Sequence, residues 1–575
     1  MRRYASIDFL RGLAIFLMLF LHIINDILDQ TTLLANPNDI PAINIVALVV
    51  LPFLGGLAGF FLMVSAIGNM ISMMRFLQKG KPVKDLIIRQ VMGGVLLLIF
   101  AMLSEGVIGY HGAVGNIFKT LDDLSAWNWT PIFYRGFHFE TIHTIAWCII
   151  LNGIVQGILV KVHGIENYKK IIKSYIVLAI IIVAITPFVW DALFQALGNS
   201  YPFGTNPAWN QQWHTPDLRY ASFADIVVIF FANVVAGRPE PVLPYLAVSF
   251  IGSIIGILLA QPKDKIPRTF PKKLLIIAFI MFIIGLIGLV GNVIAIMEYD
   301  ADAALNLYTY IWDHRIWVNS ALNAHNIDFS AVPSYLPVVG WLFQFLVLNG
   351  VGLAAIVLII RLVEFRGNGK PFAKHTTFIR RFGFIAFTIY NIQFIYYVAH
   401  FFISGVFYGD PYVHLDWGGT FITMLLAFAM FYAIMKLWEK VNYIGSIEWM
   451  IGTIAAYLIP GRKRSIVIPW YRRGELNVEG AFYNAEWLNV VEKDEINHEQ
   501  LAESKLAWYL SGWGFLFPPL SLVCLVIANK SMKTEKVNKF NKGAKIVSII
   551  GIIFLITWVT LVSVVSLSDL GIPLF

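Results

Sequence analysis

Charge is scarce in this chain. Only 14% of its 575 residues are Asp, Glu, Lys or Arg, while 58% are hydrophobic and 15% aromatic. An ordinary soluble protein carries about 25% charged residues. A chain of this length would fold in water as roughly four domains, and their surfaces would need far more charge. The deficit excludes a soluble enzyme and a disordered chain. With a mean hydropathy of +0.70, lipid is expected to solvate much of the surface. Cysteine is scarcer still. Cys148 and Cys524 both lie inside apolar runs and cannot build a disulfide framework. No P-loop or dinucleotide fingerprint stands out, and HFETIH (138–143) lacks the histidine spacing of a zinc-protease helix. Neither a metal nor a nucleic-acid partner is expected. The net charge of +8 reads as basic inner loops.

What is abundant is long apolar runs. Segments near 7–29, 43–71, 86–108, 139–161, 171–194, 242–261, 274–297, 336–362, 380–405 and 418–438 reach the length needed to cross hydrocarbon, with two more candidates at 507–528 and 546–567. Shorter runs at 223–236 and 444–459 read as partial, re-entrant or interfacial. The expected fold class is an all-α polytopic membrane protein of about 10–12 transmembrane helices. Arg2 and Arg3 precede the first run, but no small-residue cleavage site follows it, so a retained helix is expected rather than a signal peptide. With the N-terminus cytoplasmic, the inner connections as far as residue 381 hold 22 Lys and Arg. The outer ones hold 5, namely Lys119, Arg135, Arg219, Arg238 and Arg315. That asymmetry sets the orientation and predicts a multi-pass protein of the cell membrane.

The chain divides by composition into a transmembrane domain (1–455), an extramembrane segment (456–506) and a C-terminal membrane hairpin (507–575). The Lys-rich loop 529–544 belongs inside, so either 444–459 crosses too or 507–528, with Pro518 and Pro519, does not cross fully. The outer loops 109–137, 195–241 and 298–335 are rich in aromatic residues, Asn and His. They suit sugar or headgroup contact, or simple interfacial belting.

Polar residues inside a span are costly and mark function, and the first span carries several. Arg11 and His22 are eleven residues apart, which puts them about 20° apart on one helix face and about 16 Å apart along it. Asp8 lies one turn before Arg11, while Asn25 and Asp26 lie one turn after His22. Asp8 reads either as part of the site or as a helix-end partner of Arg11, with Ser6 as N-cap. An arginine near the inner face can hold phosphate as a fork. A deeper histidine can act as a general base or carry an acyl group. The spacing suits an elongated ligand, anionic at one end and reactive at the other, as in acyl-coenzyme A.

Further candidates are weaker. Gly55, Gly56, Gly59 and Ser65 suggest close packing of the second span, around a thin ligand arm in the functional reading. The basic stretch with Arg75, Lys84 and Arg89 either holds the nucleotide phosphates or only sets topology. His143, near His138 and Glu140, either lines the acceptor side or is an interfacial histidine. Glu105 either pairs with a histidine or is solvated. Asn152, Gln156, Asn391 and Gln393 read as interhelical amides.

Several motifs, taken in order, resemble a known group. SIDFLRGLAI followed by MLFLH (6–22) resembles the opening helix of the transmembrane acyltransferase superfamily. That group includes the acyltransferase-3, YeiB-type and heparan-α-glucosaminide N-acetyltransferase-like families. PFLGGLAGFFLMVSAIGN (52–69), KDLIIRQVMGGVLLLIFAMLSEG (84–106), TIHTIAWCIILNGIV (141–155), GRPEPVLPYLAVSFIGSIIG (237–256), RRFGFIAFTIYNIQF (380–394) and YIGSIEWMIG (443–452) are similar to its later segments. Ser446 stands where the last motif has proline. The resemblance covers about residues 1–455 and is nearest to the heparan-α-glucosaminide N-acetyltransferase-like branch. It implies acetyl-CoA as donor on the cytoplasmic side, a sugar or glycan acceptor on the other side, and Arg11 and His22 as the residues of transfer. Cofactor-binding residues would be Arg11, Arg75, Lys84, Arg89 and Ser65, catalytic ones His22, Arg11 and Asp8, and acceptor-side ones Asn25, Asp26 and His143. A dimer is left open. Two rival readings remain: a secondary transporter, and a glycosyltransferase using a lipid-linked sugar with Asp26 and Asp29 as catalytic or metal-binding residues.

Overall fold

The computed structural model describes residues 2–29, 56–196, 209–210, 215–236, 240–300, 332–333, 335–458, 469–515 and 519–569. About 80% of the described residues are helical. Among the described residues, strand is confined to two short pairs. Arg2–Arg3 (β1) runs parallel to Glu486–Trp487 (β2), and Trp209–Asn210 pairs with Thr215–Pro216. Two compact units result, one of Met1–Leu28 with Phe53–Val490 and one of Asp29–Pro52 with Val491–Phe575.

Among the described residues, ten helices are long and apolar enough to cross a membrane, and they fall where the first ten apolar runs lie. They include α1 (Ala5–Ile27), α2 (Leu57–Gln78), α3 (Val83–Leu103), α4 (Thr141–His163), α5 (Tyr168–Ala196), α6 (Val242–Leu259), α7 (Phe270–Met297) and α8 (Tyr335–Val363). The start of the predicted second span, with Gly55, lies outside the described residues. α6 is the most enclosed, with 83% of its apolar window buried. α7 is the least, at 17%, as expected for a helix whose apolar surface faces lipid.

The ninth crossing is broken into α9 (Thr377–Phe384), α10 (Ala386–Asn391), a 3-10 turn at Ile392–Phe394, and α11 (Ile395–Ile403). The break has a physical cause. Glu448, on α13 (Ile447–Leu458), accepts hydrogen bonds from the backbone N–H of Phe387 at 2.8 Å and of Thr388 at 3.3 Å, and from the Thr388 hydroxyl. A carboxylate there satisfies the orphan donors of a helix start and opposes its dipole. The tenth crossing is α12 (Trp417–Glu439); labels follow chain order.

Small residues let helices touch through their backbones. A Cβ on Gly383 would lie 2.5 Å from the Gly12 nitrogen, and one on Gly12 would run into the Ile379 carbonyl, so α1 and α9 cross at van der Waals contact. In α7, Gly285 and Gly288 meet Val347 and Phe343 of α8, as close packing requires. Gly291 faces open space, so the close contact rests on the first two of the three glycines.

Near the C-terminus, α13 spans twelve residues, about 18 Å, which is too short to cross hydrocarbon about 30 Å thick. The predicted span 507–528 is also not one helix. α14 (Ala502–Ser511) ends in a 3-10 turn at Gly512–Phe515, and α15 (Pro519–Thr534) starts anew before α16 (Lys539–Asp569). Within this second unit, Glu535 accepts from the backbone N–H groups of Glu503 and Ser504 and from the Ser504 hydroxyl, capping α14. Cys148 and Cys524 are both free and buried.

Candidate functional site

The outer end of α1 presents His22, Asn25 and Asp26 to residues that arrive from far along the chain. One carboxylate oxygen of Asp26, Oδ2, accepts from the phenol hydroxyls of Tyr110, Tyr396 at 2.6 Å and Tyr397 at 2.7 Å. Its other oxygen accepts from Asn25 at 3.2 Å. Tyr396 and Tyr397 stand on the first turn of α11. Tyr110 follows a π-turn at Ser104–Ile108 that ends α3. Such turns are frequent at functional sites because they re-aim a few side chains. The chain reverses there with helix and backbone in close contact. A Cβ on Gly109 would meet the Ser104 carbonyl and the Asn391 amide oxygen.

Three donors on one oxygen saturate it. Asp26 can act as a base or bind a metal only by giving up phenols, which weighs against the metal-binding role that a glycosyltransferase would assign to it. Its fixed negative charge favours a cation beside it. The His22 ring lies 5.5 Å from the Tyr110 centroid, and its Nδ1 is buried without a partner. Neither ring nitrogen has a hydrogen-bond partner among the described residues. Asp26, Glu140 and Lys119 are within electrostatic range of it. The Lys119 ammonium sits 4.1 Å from the Tyr110 centroid and 5.3 Å from that of Tyr397, a cation–π arrangement. Burial pulls Lys119 down to about 8, against the attraction of Asp26.

A second group of charges adjoins the first. Glu140 Oε1 lies 3.2 Å from His138 Nε2, 3.7 Å from His111 Nε2 and 3.8 Å from Arg135. Burial alone would push the Glu140 carboxyl up. The bond to His138 and the charges of His138 and Arg135 outweigh it and bring the group to about 2. The Tyr390 hydroxyl lies 3.3 Å from Glu140 Oε2 and 3.0 Å from Glu105 Oε1. Glu105 thus meets a tyrosine and a second carboxylate, neither a histidine nor bulk solvent. His143 is fully buried. Its Nε2 is 3.3 Å from the Gly136 carbonyl oxygen, and its ring packs on Phe139. Those contacts describe a packing histidine rather than an open acceptor surface.

The inner end is arranged differently from expectation. Asp8 does not pair with Arg11. Arg3 reaches it at 2.7 Å and 3.0 Å, and Arg380 of α9 approaches to 3.9 Å. Asp8 lies within reach of these two because Arg3 stands five residues before it and α9 crosses α1 in close contact. Ser6 is not the N-cap. Tyr4 holds that position, and the Ser6 backbone N–H donates to Glu364 at 2.9 Å. Arg11 makes no hydrogen bond or ion pair among the described residues. Its Nη2 lies 2.8 Å from where a Cβ on Gly68 of α2 would stand, so glycine there gives the guanidinium its room. Arg75 stacks over Tyr4 and Arg89 over Phe76, while Lys84 is exposed. Ser65 lines a small cavity between α2, α4 and α6, with Asn69, Cys148, Asn152 and Ser249. It holds roughly one water and as it stands admits no pantetheine arm. Asn152 donates to Ser249 and Ser253 and accepts from Tyr175, so it is interhelical glue as expected.

Sequence reasoning missed the three tyrosines of Asp26 and the Tyr390 bridge. No local signal marks them, because each pairs across 84 to 371 positions. No protein-family model matches the chain, and a search of curated proteins finds no match to its sequence.

Proposed function

We propose that the protein is a membrane acyltransferase. It would move an acetyl or other short acyl group from cytoplasmic acyl-CoA to a hydroxyl or amine of an extracytoplasmic sugar or glycan. The observation that carries this reading is α1 itself. It holds Arg11 towards the inner side, a guanidinium without a hydrogen-bond or ion-pair partner among the described residues. Eleven residues further on it holds His22, an imidazole likewise without a hydrogen-bond partner among the described residues, beside a carboxylate fixed by three phenols. The resemblance of 1–455 to transmembrane acyltransferases supports the same assignment.

The chemistry follows from those groups. Arg11 binds a phosphate of the donor. A nitrogen of His22 takes the proton of the acceptor hydroxyl or amine as that atom attacks the thioester carbonyl. The new C–O or C–N bond forms, the C–S bond breaks, and the thiolate leaves with the CoA. Asp26, held in place by its phenols, stabilises the imidazolium that results, as a carboxylate does beside a catalytic histidine. In a second route His22 first carries the acyl group itself. The test is incubation of purified protein with radiolabelled acetyl-CoA and a panel of glucosamine-bearing acceptors. Label in an acceptor supports the reading, and none in any acceptor contradicts it.

One observation favours a second reading, secondary transport. The ninth crossing is discontinuous, with Glu448 at the start of a half-helix, as in transporters that bind at a broken helix. Solute uptake by proteoliposomes driven by a pH gradient, without acetyl transfer, would favour it.

A further inference from the structure

Glu105 and Glu140 meet at one phenol. The Tyr390 hydroxyl lies 3.0 Å from the first carboxyl and 3.3 Å from the second. A phenol has one proton to donate. Two ionised carboxylates cannot both be satisfied by it, and two negative charges this close in a poorly solvated site repel. One of the two carboxyls therefore carries a proton and donates it to the phenol oxygen. The neighbours decide which. Glu140 faces His138, His111 and Arg135, the surroundings of an anion. Glu105 is 3% exposed, and its second oxygen is buried without a partner, the surroundings of a neutral acid. The other charges in range are Lys119 and Arg135 on the Glu105 side, and His22 and Glu240 on the Glu140 and Tyr390 side.

We propose that Glu105, Tyr390 and Glu140 form one proton-sharing unit, with the resting proton on Glu105, and that this unit drains the His22 imidazolium towards the outer face. The draining role rests on the acyl-transfer reading, whereas the shared proton does not. The unit starts with one proton on two carboxyls. The acceptor's proton passes from His22 by way of Glu140, which lies within electrostatic range of that ring and, held low by His138 and Arg135, carries the proton only in transit. The proton leaves through His138 or the partly exposed His111 to outer water, and the pair returns to its single proton. The departing CoA thiolate takes its own proton from cytoplasmic water. Glu105 does not touch substrate. It acts through Glu140 and is a positioning residue: by holding the shared proton it leaves Glu140 ionised at rest, and through Tyr390 it lets the pair share a second proton, which an amide at this position cannot do.

Two measurements test the unit. The first is infrared spectroscopy of purified protein in H2O and D2O. A protonated-carboxyl stretch that shifts in D2O should be present in the wild type and absent from Glu105→Gln, and Tyr390→Phe should move its frequency. If Glu105→Gln does not fold, the Tyr390→Phe shift decides. A difference spectrum with no band lost, or a Tyr390→Phe band that does not move, overturns the shared proton. The second is acetyl transfer against outer pH. Glu105→Gln should bind acetyl-CoA as the wild type does, turn over on the order of tenfold more slowly or worse, and show a changed pH profile. An unchanged profile overturns the draining role. If the wild type transfers to no acceptor, the acyl-transfer reading falls and takes the draining role with it. The infrared result then still decides the shared proton.

Discussion

Replacing Asp26 by Asn tests how much of the outer site is built on one oxygen. That oxygen accepts from three phenols. Hydrogen bonds to an ionised acceptor are worth about 1.5–3 kcal/mol each, and a stranded buried donor costs about 1–3 kcal/mol. The three bonds are not additive, because they share one acceptor. Asparagine is nearly isosteric but neutral, and half of its amide donates instead of accepting. The substitution should therefore cost about 3 kcal/mol, the loss of charge assistance plus at least one stranded phenol. Removing a single phenol should cost less, about 1 kcal/mol for Tyr396→Phe or Tyr397→Phe, since two donors remain. In the Asp26→Asn background the same Tyr→Phe changes should cost almost nothing. Reversible unfolding in mixed dodecyl maltoside and SDS micelles, followed by tryptophan fluorescence, measures all of these. A loss of about 0.5 kcal/mol or less for Asp26→Asn, as at an ordinary surface position, or full additivity with Tyr396→Phe, would refute the three-donor arrangement.

The remaining predictions concern packing, binding and pH. Gly12→Ala should loosen the crossing of α1 and α9 and lower stability by about 1–3 kcal/mol through overpacking. Gly93→Ala, where a Cβ meets nothing, should be neutral or slightly stabilising in the same micelle assay. Arg11→Ala should weaken acetyl-CoA binding by at least on the order of tenfold, the scale of one charged hydrogen bond, in calorimetry that leaves the acceptor out; unchanged affinity would remove Arg11 from the donor site. Glu140 is held near 2, below the ordinary carboxyl value of 4.5. Its contribution to stability is therefore full above about pH 4.5 and is lost as pH falls towards 2. Glu140→Gln should flatten that acid limb, and an acid limb identical to the wild type would contradict the ion pairing. Activity should survive EDTA, and its loss, restored by a divalent cation, would favour the glycosyltransferase reading.

The helical architecture was legible because its signal is local. Twenty apolar residues in a row specify a crossing whatever lies elsewhere, and among the described residues ten helical crossings, the ninth of them broken, lie where the first ten runs fall. The polar stripe of α1 was legible for the same reason, since helical spacing alone aligns Arg11, His22 and Asp26. What failed was partner choice. For Asp8 the sequence offers two readings, a site residue or a helix-end partner of Arg11 one turn away. In the fold it is held by Arg3, five residues before it, and by Arg380, from 372 positions along the chain. The second depends on the glycine crossing of α1 and α9, which no periodicity reveals. The apolar run 507–528 misled in the opposite way. Its composition suits a crossing, yet the chain turns at Gly512–Phe515 and a new helix begins at Pro519. His143 misled because a histidine at the start of a helix looks the same in sequence whether it faces water or, as here, the Gly136 carbonyl.

The central claim is that His22 performs proton transfer or acyl carriage at the outer end of α1. Acetyl transfer by purified His22→Ala protein, set against the wild type in the same detergent, tests it most directly. The His22 ring makes no hydrogen bond among the described residues, so its loss should leave the fold and acetyl-CoA binding intact. Transfer to the acceptor should fall to background. A folded His22→Ala protein that transfers acetyl at the wild-type rate would contradict the account.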